Sequence, residues 1–233
     1  MPNRIDVFSR LPCEISDDVY VFSSMDGDHD YWASETEHLH IDDRITEFLP
    51  DHRYELALEV GAGNGRSTVP LSKLSGKLYA LESSKIGIDR LKSRGLSNVI
   101  NVLSYDIKLP FKDNMFDLVA SVTVIEHIPA NFAIEFLSEH YRVLKPGGIL
   151  LIRNDAWFYG VLERWGYFDK ENPDPTHINM ITPKKLQKQL ESLGFIIEAK
   201  AYFPFYRFIK GKLPLMDVLA TKGNFICRKP YER

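Results

Sequence analysis

The sequence predicts an α/β protein built on a parallel, doubly wound sheet. From Tyr54 onward, short apolar β-branched runs alternate with longer amphipathic stretches, the pattern of consecutive strand–helix units. Continuous apolar runs such as LVASVTVI and ILLI suit strands buried on both faces. Helix stop signals lead straight into such runs, as where Lys145-Pro146-Gly147-Gly148 precedes ILLI.

In chain order, strands are expected near 55–60, 77–82, 99–104, 116–124 and 148–153. The intervening helices fit Ser67 to Leu74, Ser84 to Arg94 and Asn131 to Leu144; in the last, Ile134, Leu137, Tyr141 and Leu144 recur at three- and four-residue intervals. Thr182 then precedes Pro183, KKLQKQLESL and Gly194: an N-cap, a proline at the first helical position, an amphipathic helix and a glycine terminator. FIIEAKAYF and NFICRKP read as two further strands. Residues 1–53 read as a helical extension or cap, within which ETEHLHIDDRITEFL has helical character, and Ala156 to Ile181 as an aromatic-rich, lid-like insertion. The expected plan is a single domain over 1–233, with a core at 54–155 and a C-terminal helix and edge strands at 182–233.

The first core strand ends in Glu59-Val60-Gly61-Ala62-Gly63-Asn64-Gly65, followed at once by a helix. Alternate glycines let the backbone turn sharply and approach a ligand, since no Cβ blocks the way. A dinucleotide site wants G-x-G-x-x-G, and Arg66 stands where its third glycine belongs, which disfavours that reading. No GK[ST] follows, which excludes a Walker loop. The second strand ends at Glu82, 17 residues after Gly65, close to the spacing of about 20 at which an acid meets ribose hydroxyls in such folds. The third ends in Tyr105-Asp106-Ile107, a second acid on the carboxyl edge of the sheet, where open α/β sheets bind ligands.

Together EVGAGNG, Glu82, YDIKLPF, FDLVASVTVIEHIP and VLKPGGILLI resemble the class I S-adenosylmethionine-dependent methyltransferases, of the small-molecule type compared with ubiquinone and sugar methyltransferases. A weaker likeness continues through DPTHINMITPKKLQKQLESLGF. The resemblance implies a Rossmann-like, seven-stranded doubly wound sheet with helices on both faces and a final antiparallel edge strand. It implies that Gly61, Ala62, Gly63 and Gly65 pass under the methionine part of S-adenosylmethionine. Glu59 would help fix the ammonium, Glu82 with Ser83 would clasp the ribose, Asp106 would accept from the adenine amino group beside the Ile107 N–H, and Val122 would offer its carbonyl to the ammonium.

Methyl transfer from a sulfonium needs chiefly alignment; a general base is needed only where the acceptor must lose a proton. Its candidates are His127, Glu126, Asp155 and His177, with His177 and His127 foremost and O-methylation of a small-molecule, lipid- or sugar-type acceptor the expected reaction. The histidines do not fall at metal-ligand spacing, so no metal is expected. Other readings of the scaffold are a cofactor-binding protein without transferase activity, an aminopropyl-type transferase and a dinucleotide-dependent oxidoreductase.

Composition sets the outer bounds. The 233 residues are 44% hydrophobic and 26% charged, enough for a sizeable core. A net charge of -3 gives no general attraction to phosphate backbones, so no nucleic-acid partner is expected. Two distant cysteines, Cys13 and Cys227, suggest neither a disulfide framework nor a zinc site and fit a reducing cytoplasm. Charges interrupt the N-terminal apolar residues too often for a signal peptide, and no run reaches the roughly 18 apolar residues of a membrane span. The segment AYFPFYRFIKGKLPLM, 201–216, mixes aromatics with cations and is a candidate for peripheral contact with a membrane or apolar substrate.

Overall fold

The computed structural model describes residues 8–10, 12, 14–16, 19–21, 41–165, 176–204 and 220–231. The described strands are β1 (Glu14–Ser16), β2 (Val19–Val21), β3 (Tyr54–Val60), β4 (Ser75–Glu82), β5 (Val99–Leu103), β6 (Phe116–Val122), β7 (Leu144–Asp155), β8 (Ile196–Pro204) and β9 (Ala220–Arg228). The helices are α1 (Thr68–Leu74), α2 (Lys85–Ser93), α3 (Ala133–Val143), α4 (Trp157–Arg164) and α5 (Pro183–Ser192).

All nine strands join one sheet in the order β1-β2-β5-β4-β3-β6-β7-β9-β8. The seven from β3 to β9 form the expected doubly wound core. β3, β4, β5, β6 and β7 are parallel to their neighbours, while β9 runs antiparallel between β7 and β8. The strand order reverses about β3, which has β4 on one side and β6 on the other, and this switch point opens a crevice at the strands' carboxyl ends.

Strand pleating divides the core into two layers. Leu58, Val60, Tyr79 and Leu81 face Phe136 and Leu137 of α3 and Leu186 and Leu190 of α5. Ala57 and Leu78 face the opposite way, toward Leu71 of α1 and Ile45, and Ala80 packs on Ile88 and Leu91 of α2. Each strand alternates its partners because successive side chains point to opposite faces.

Helix starts follow their caps. Ser84 accepts the Gly87 N–H through its hydroxyl at 2.9 Å, and Thr182 accepts that of Lys185 at 3.2 Å, with Pro183 at the first helical position.

The N-terminal expectation needs correction. Within 1–53 the described elements are β1 and β2, which extend the sheet at the β5 edge, and a single 3₁₀ turn at Asp43–Thr46. Val19-Tyr20-Val21 is a β-favouring triplet that pairs in parallel with Asn101–Leu103 and buries Val19 and Tyr20. The expected helix over ETEHLHIDDRITEFL lies partly outside the described residues. Within them, the Asp42 side chain caps no helix but is held by Arg153 at 2.5 Å. β7 also begins earlier than expected: Lys145-Pro146-Gly147-Gly148 lies inside the strand as an irregularity in its pairing with β6, and Gly147 sits at φ +81°. The middle of the lid-like insertion and most of 201–216 lie outside the described residues.

Candidate active site

A cavity of about 350 Å³ occupies the crevice at the switch point, within the size range of small-molecule sites. Gly61, Ala62, Gly63, Glu82, Ser83, Val122, His127 and His177, all singled out from the sequence, line it. Glu59, Gly65, Asp106 and Ile107 do not line it; Ile107 packs against the core, and the other three have the partners described below.

The turn after β3 is built around close approach. Gly61 has φ +75°, and a Cβ there would stand 2.4 Å from Val124 Cγ2. Gly63 has φ +53°, and a Cβ there would meet no atom of the described residues within 4 Å. Side-chain volume is thus opposed by protein at Gly61, while at Gly63 the left-handed backbone alone favours glycine. Gly65 plays a packing part, because a Cβ there would press on Arg94 and Leu91 of α2.

Glu82 ties the turn to the next loop. One carboxylate oxygen accepts the Gly63 N–H at 2.6 Å, and the other accepts the N–H groups of Ser83 and Ser84, both at 2.8 Å. Glu59 is buried one strand away and accepts from the hydroxyls of Ser67 at 2.5 Å and Thr68 at 2.6 Å, anchoring the start of α1. Burial pushes its carboxyl up to about 7, against the lowering effect of the two hydroxyls. Asp106 pairs with Arg10, whose segment is pinned by buried Phe8 against Tyr20, Tyr79 and Phe111. The Val122 carbonyl accepts the Thr123 hydroxyl at 2.7 Å, and Thr123, a β-branched cavity residue, sits at φ 55°, a costly conformation for it.

At the far wall the 3₁₀ turn Ile125–His127 meets the last residues of the lid-like insertion, Thr176 to Asn179. The Glu126 carbonyl accepts the N–H groups of Ile178 at 3.0 Å and Asn179 at 2.9 Å. The His127 Nδ1 lies 3.0 Å from the Thr176 hydroxyl and 3.2 Å from its carbonyl, and the His127 and His177 rings are 5.0 Å apart. The Glu126 side chain is fully buried, with Oε1 accepting the Asp155 N–H at 3.0 Å; burial and the nearby Asp155 charge push its carboxyl well above the usual range. Ligand atoms of Glu126, His127 and His177 lie within 4.8 Å of one another. Linear spacing hides this group, since 50 positions separate His127 from His177.

Sequence reasoning named Asp155 but missed the rest of the cavity's charged frame. Arg153 bonds Asp42 at 2.5 Å and Asn224 at 2.6 Å, and Lys222 meets Asp155 at 3.1 Å. Arg66, noticed only as a bulky departure from a glycine motif, lines the cavity, and desolvation lowers its guanidinium pKa. The positions of Arg153 and Asp155 at the carboxyl end of β7 were the available signal.

Residues 58–152 match the methyltransferase domain family. A demethylmenaquinone methyltransferase of Geobacillus stearothermophilus is 30% identical over 157 residues, covering 64% of this chain and 64% of its own length. A ubiquinone/menaquinone biosynthesis C-methyltransferase of Azotobacter vinelandii is 34% identical over 103 residues, 41% of this chain and 40% of its own. The matches therefore span less than two thirds of these relatives. Among solved structures, a chain of the Haloferax volcanii complex between the Trm112 methyltransferase activator and a methyltransferase superposes with a TM-score of 0.69 at 15% identity, covering 89% of this chain and all of that one, a likeness of fold. The glycine turn at the switch point, the acid closing β4 and the domain match agree in likening residues 58–152 to a methyltransferase domain.

Proposed function

We propose that this protein transfers the methyl group of S-adenosylmethionine to the hydroxyl oxygen of a small-molecule acceptor, with His177 taking the hydroxyl proton and His127 next to it in the acceptor wall. The observation that carries this reading is the convergence of both histidines on the cavity that Gly61, Gly63 and Glu82 also line. In it, the glycine turn passes under the methionine part of the cofactor, Glu82 and Ser83 meet the ribose, Asp106 and the Ile107 N–H meet the adenine, and the Val122 carbonyl receives the ammonium. Glu59 acts one step back, by holding the start of α1.

The transfer is an in-line displacement: the acceptor oxygen bonds the methyl carbon, the carbon–sulfur bond breaks, and its electron pair neutralises the sulfonium. The protein supplies alignment, worth about 7 to 11 kcal/mol in favourable cases. An imidazole with an unperturbed pKa near 6.5 is matched to removing a hydroxyl proton at neutral pH. Exposed Trp157 and Ile178, beside the lining residues in sequence, support an apolar acceptor. The Azotobacter relative's name supports a second reading, in which the same deprotonation activates a carbon that then takes the methyl group.

With the true acceptor, His177→Ala is expected to lower turnover by about 100-fold or more while leaving the affinity for S-adenosylhomocysteine unchanged. Mass spectrometry and NMR of the product separate oxygen from carbon methylation. Cofactor binding without transfer to any acceptor fraction would leave a binding protein instead, and tight binding of NAD alone would overturn the assignment.

A further inference from the structure

We propose that Glu126, His127 and His177 form a binding site for a divalent transition-metal ion in the acceptor wall. Their ligand atoms already lie within 4.8 Å of one another. Around zinc, bond lengths of about 2.0–2.2 Å would bring three such donors to about 3.4 Å apart. Rotation of the half-buried His177 side chain supplies the remaining contraction.

The surroundings are those of a supported ligand set. Glu126 is completely buried, its Oε1 is fixed by the Asp155 N–H at 3.0 Å, and its Oε2 has no hydrogen-bond partner among the described residues. A buried carboxylate oxygen left without a donor is costly unless a proton or a cation meets it. His127 is oriented through Nδ1 by Thr176, at 3.2 Å from the carbonyl and 3.0 Å from the hydroxyl. The tautomer that donates from Nδ1 carries its lone pair on Nε2, the way a second-layer carbonyl presents a ligating histidine. The Glu126 backbone binds the segment that carries His177 through Ile178 and Asn179, so all three donors are tied together by main chain. Asp155 adds negative charge nearby and is balanced by Lys222 at 3.1 Å.

Two imidazoles and one carboxylate favour zinc, iron, nickel or cobalt over magnesium or calcium, which prefer all-oxygen sets. Three protein donors leave coordination positions toward the cavity. The inference deepens the proposed transfer and rests on it for the ion's task, which is to hold an acceptor oxygen. A hydroxyl bound there releases its proton to solvent, because the ion stabilises the anion. His177 then spends its lone pair on the ion, and its role as proton acceptor belongs to the metal-free protein.

The test is calorimetric titration of chelator-treated full-length protein with Zn²⁺, together with visible absorption of the Co²⁺ form. One equivalent is expected, with His177→Ala and Glu126→Gln each weakening it at least tenfold and the exposed control His52→Ala leaving it unchanged. A Co²⁺ spectrum that collapses in His177→Ala supports the site even where Glu126→Gln does not fold. Absence of binding, or binding that survives in His177→Ala, overturns it. S-adenosylhomocysteine titrated into the same samples keeps the two proposals apart: cofactor binding and transfer without any metal uptake would leave the methyltransferase reading standing and remove the metal site.

Discussion

Gly63 and Glu82 show how single residues divide the work of this cavity. The space that the described residues leave at the Gly63 Cβ position predicts that Gly63→Val abolishes cofactor binding, at a cost in stability of about 1–2 kcal/mol from its positive φ; calorimetry and thermal unfolding read the two effects separately. Glu82→Ala removes a carboxylate that also holds Gly63, Ser83 and Ser84. It should weaken S-adenosylhomocysteine binding by at least tenfold, as loss of one charge-assisted bond of about 1.5–3 kcal/mol requires. Glu59 predicts a pH effect. Its folded-state pKa of about 7 lies above the ordinary 4.5, so between those values the folded protein retains a proton that the unfolded chain has lost. Stability is therefore highest below about pH 4.5 as far as this group is concerned, and falls by about 3 kcal/mol as pH rises to 7 and beyond. His140 acts in a different direction: buried and held near 4, it costs stability only as pH drops below 6.5. Melting Glu59→Gln beside the parent protein from pH 5 to 8 isolates the first effect, and parallel curves would show that Glu59 does not carry it.

Elements were legible where one local rule decided them. The capped, proline-started α5 and the strand–turn–helix around Gly61 follow from residues close together in the chain, and their boundaries agree with expectation to within a residue or two. The N-terminal strands and the extended β7 were not legible, because their partners are distant: Val19–Val21 answers to Asn101–Leu103, and β7 begins where Leu144 meets Phe116. The glycine turn that lines the cavity was readable for the same reason that α5 was, while the opposite wall depends on Thr176–Asn179 folding back on Glu126 and His127. Lys229, just after β9, illustrates a long-range tie of this kind. Its ammonium is almost completely buried, donates to Asn114 Oδ1 at 2.7 Å and to the carbonyls of Tyr141 and Leu144 at 2.9 Å, and lies over the Tyr141 ring. Lys229→Met should destabilise the protein by about 3 kcal/mol, since three acceptors lose a charged donor; urea unfolding measures it.

At the scale of the whole molecule, the sheet carries two kinds of surface. Its parallel centre is covered by helices on both faces, and its carboxyl edge holds the cavity. No helix among the described residues is long and apolar enough to cross a membrane. Peripheral membrane contact through 201–216 remains a proposal about residues mostly outside the description, and sedimentation with anionic liposomes tests it.

The Arg10–Asp106 pair joins positions 96 apart in the chain and lies at the surface, with both side chains more than a third exposed. With Asp106 as the proposed adenine acceptor, Arg10 and the cofactor draw on one carboxylate, and the protein carries an ionic latch that its ligand must share or open. Exposed ion pairs weaken as electrolyte rises and the Debye length falls from about 10 Å at 0.1 M toward 3 Å at 1 M. Added salt should therefore tighten S-adenosylhomocysteine binding, the reverse of what simple screening of a charged ligand produces, and Arg10→Ala should erase that dependence.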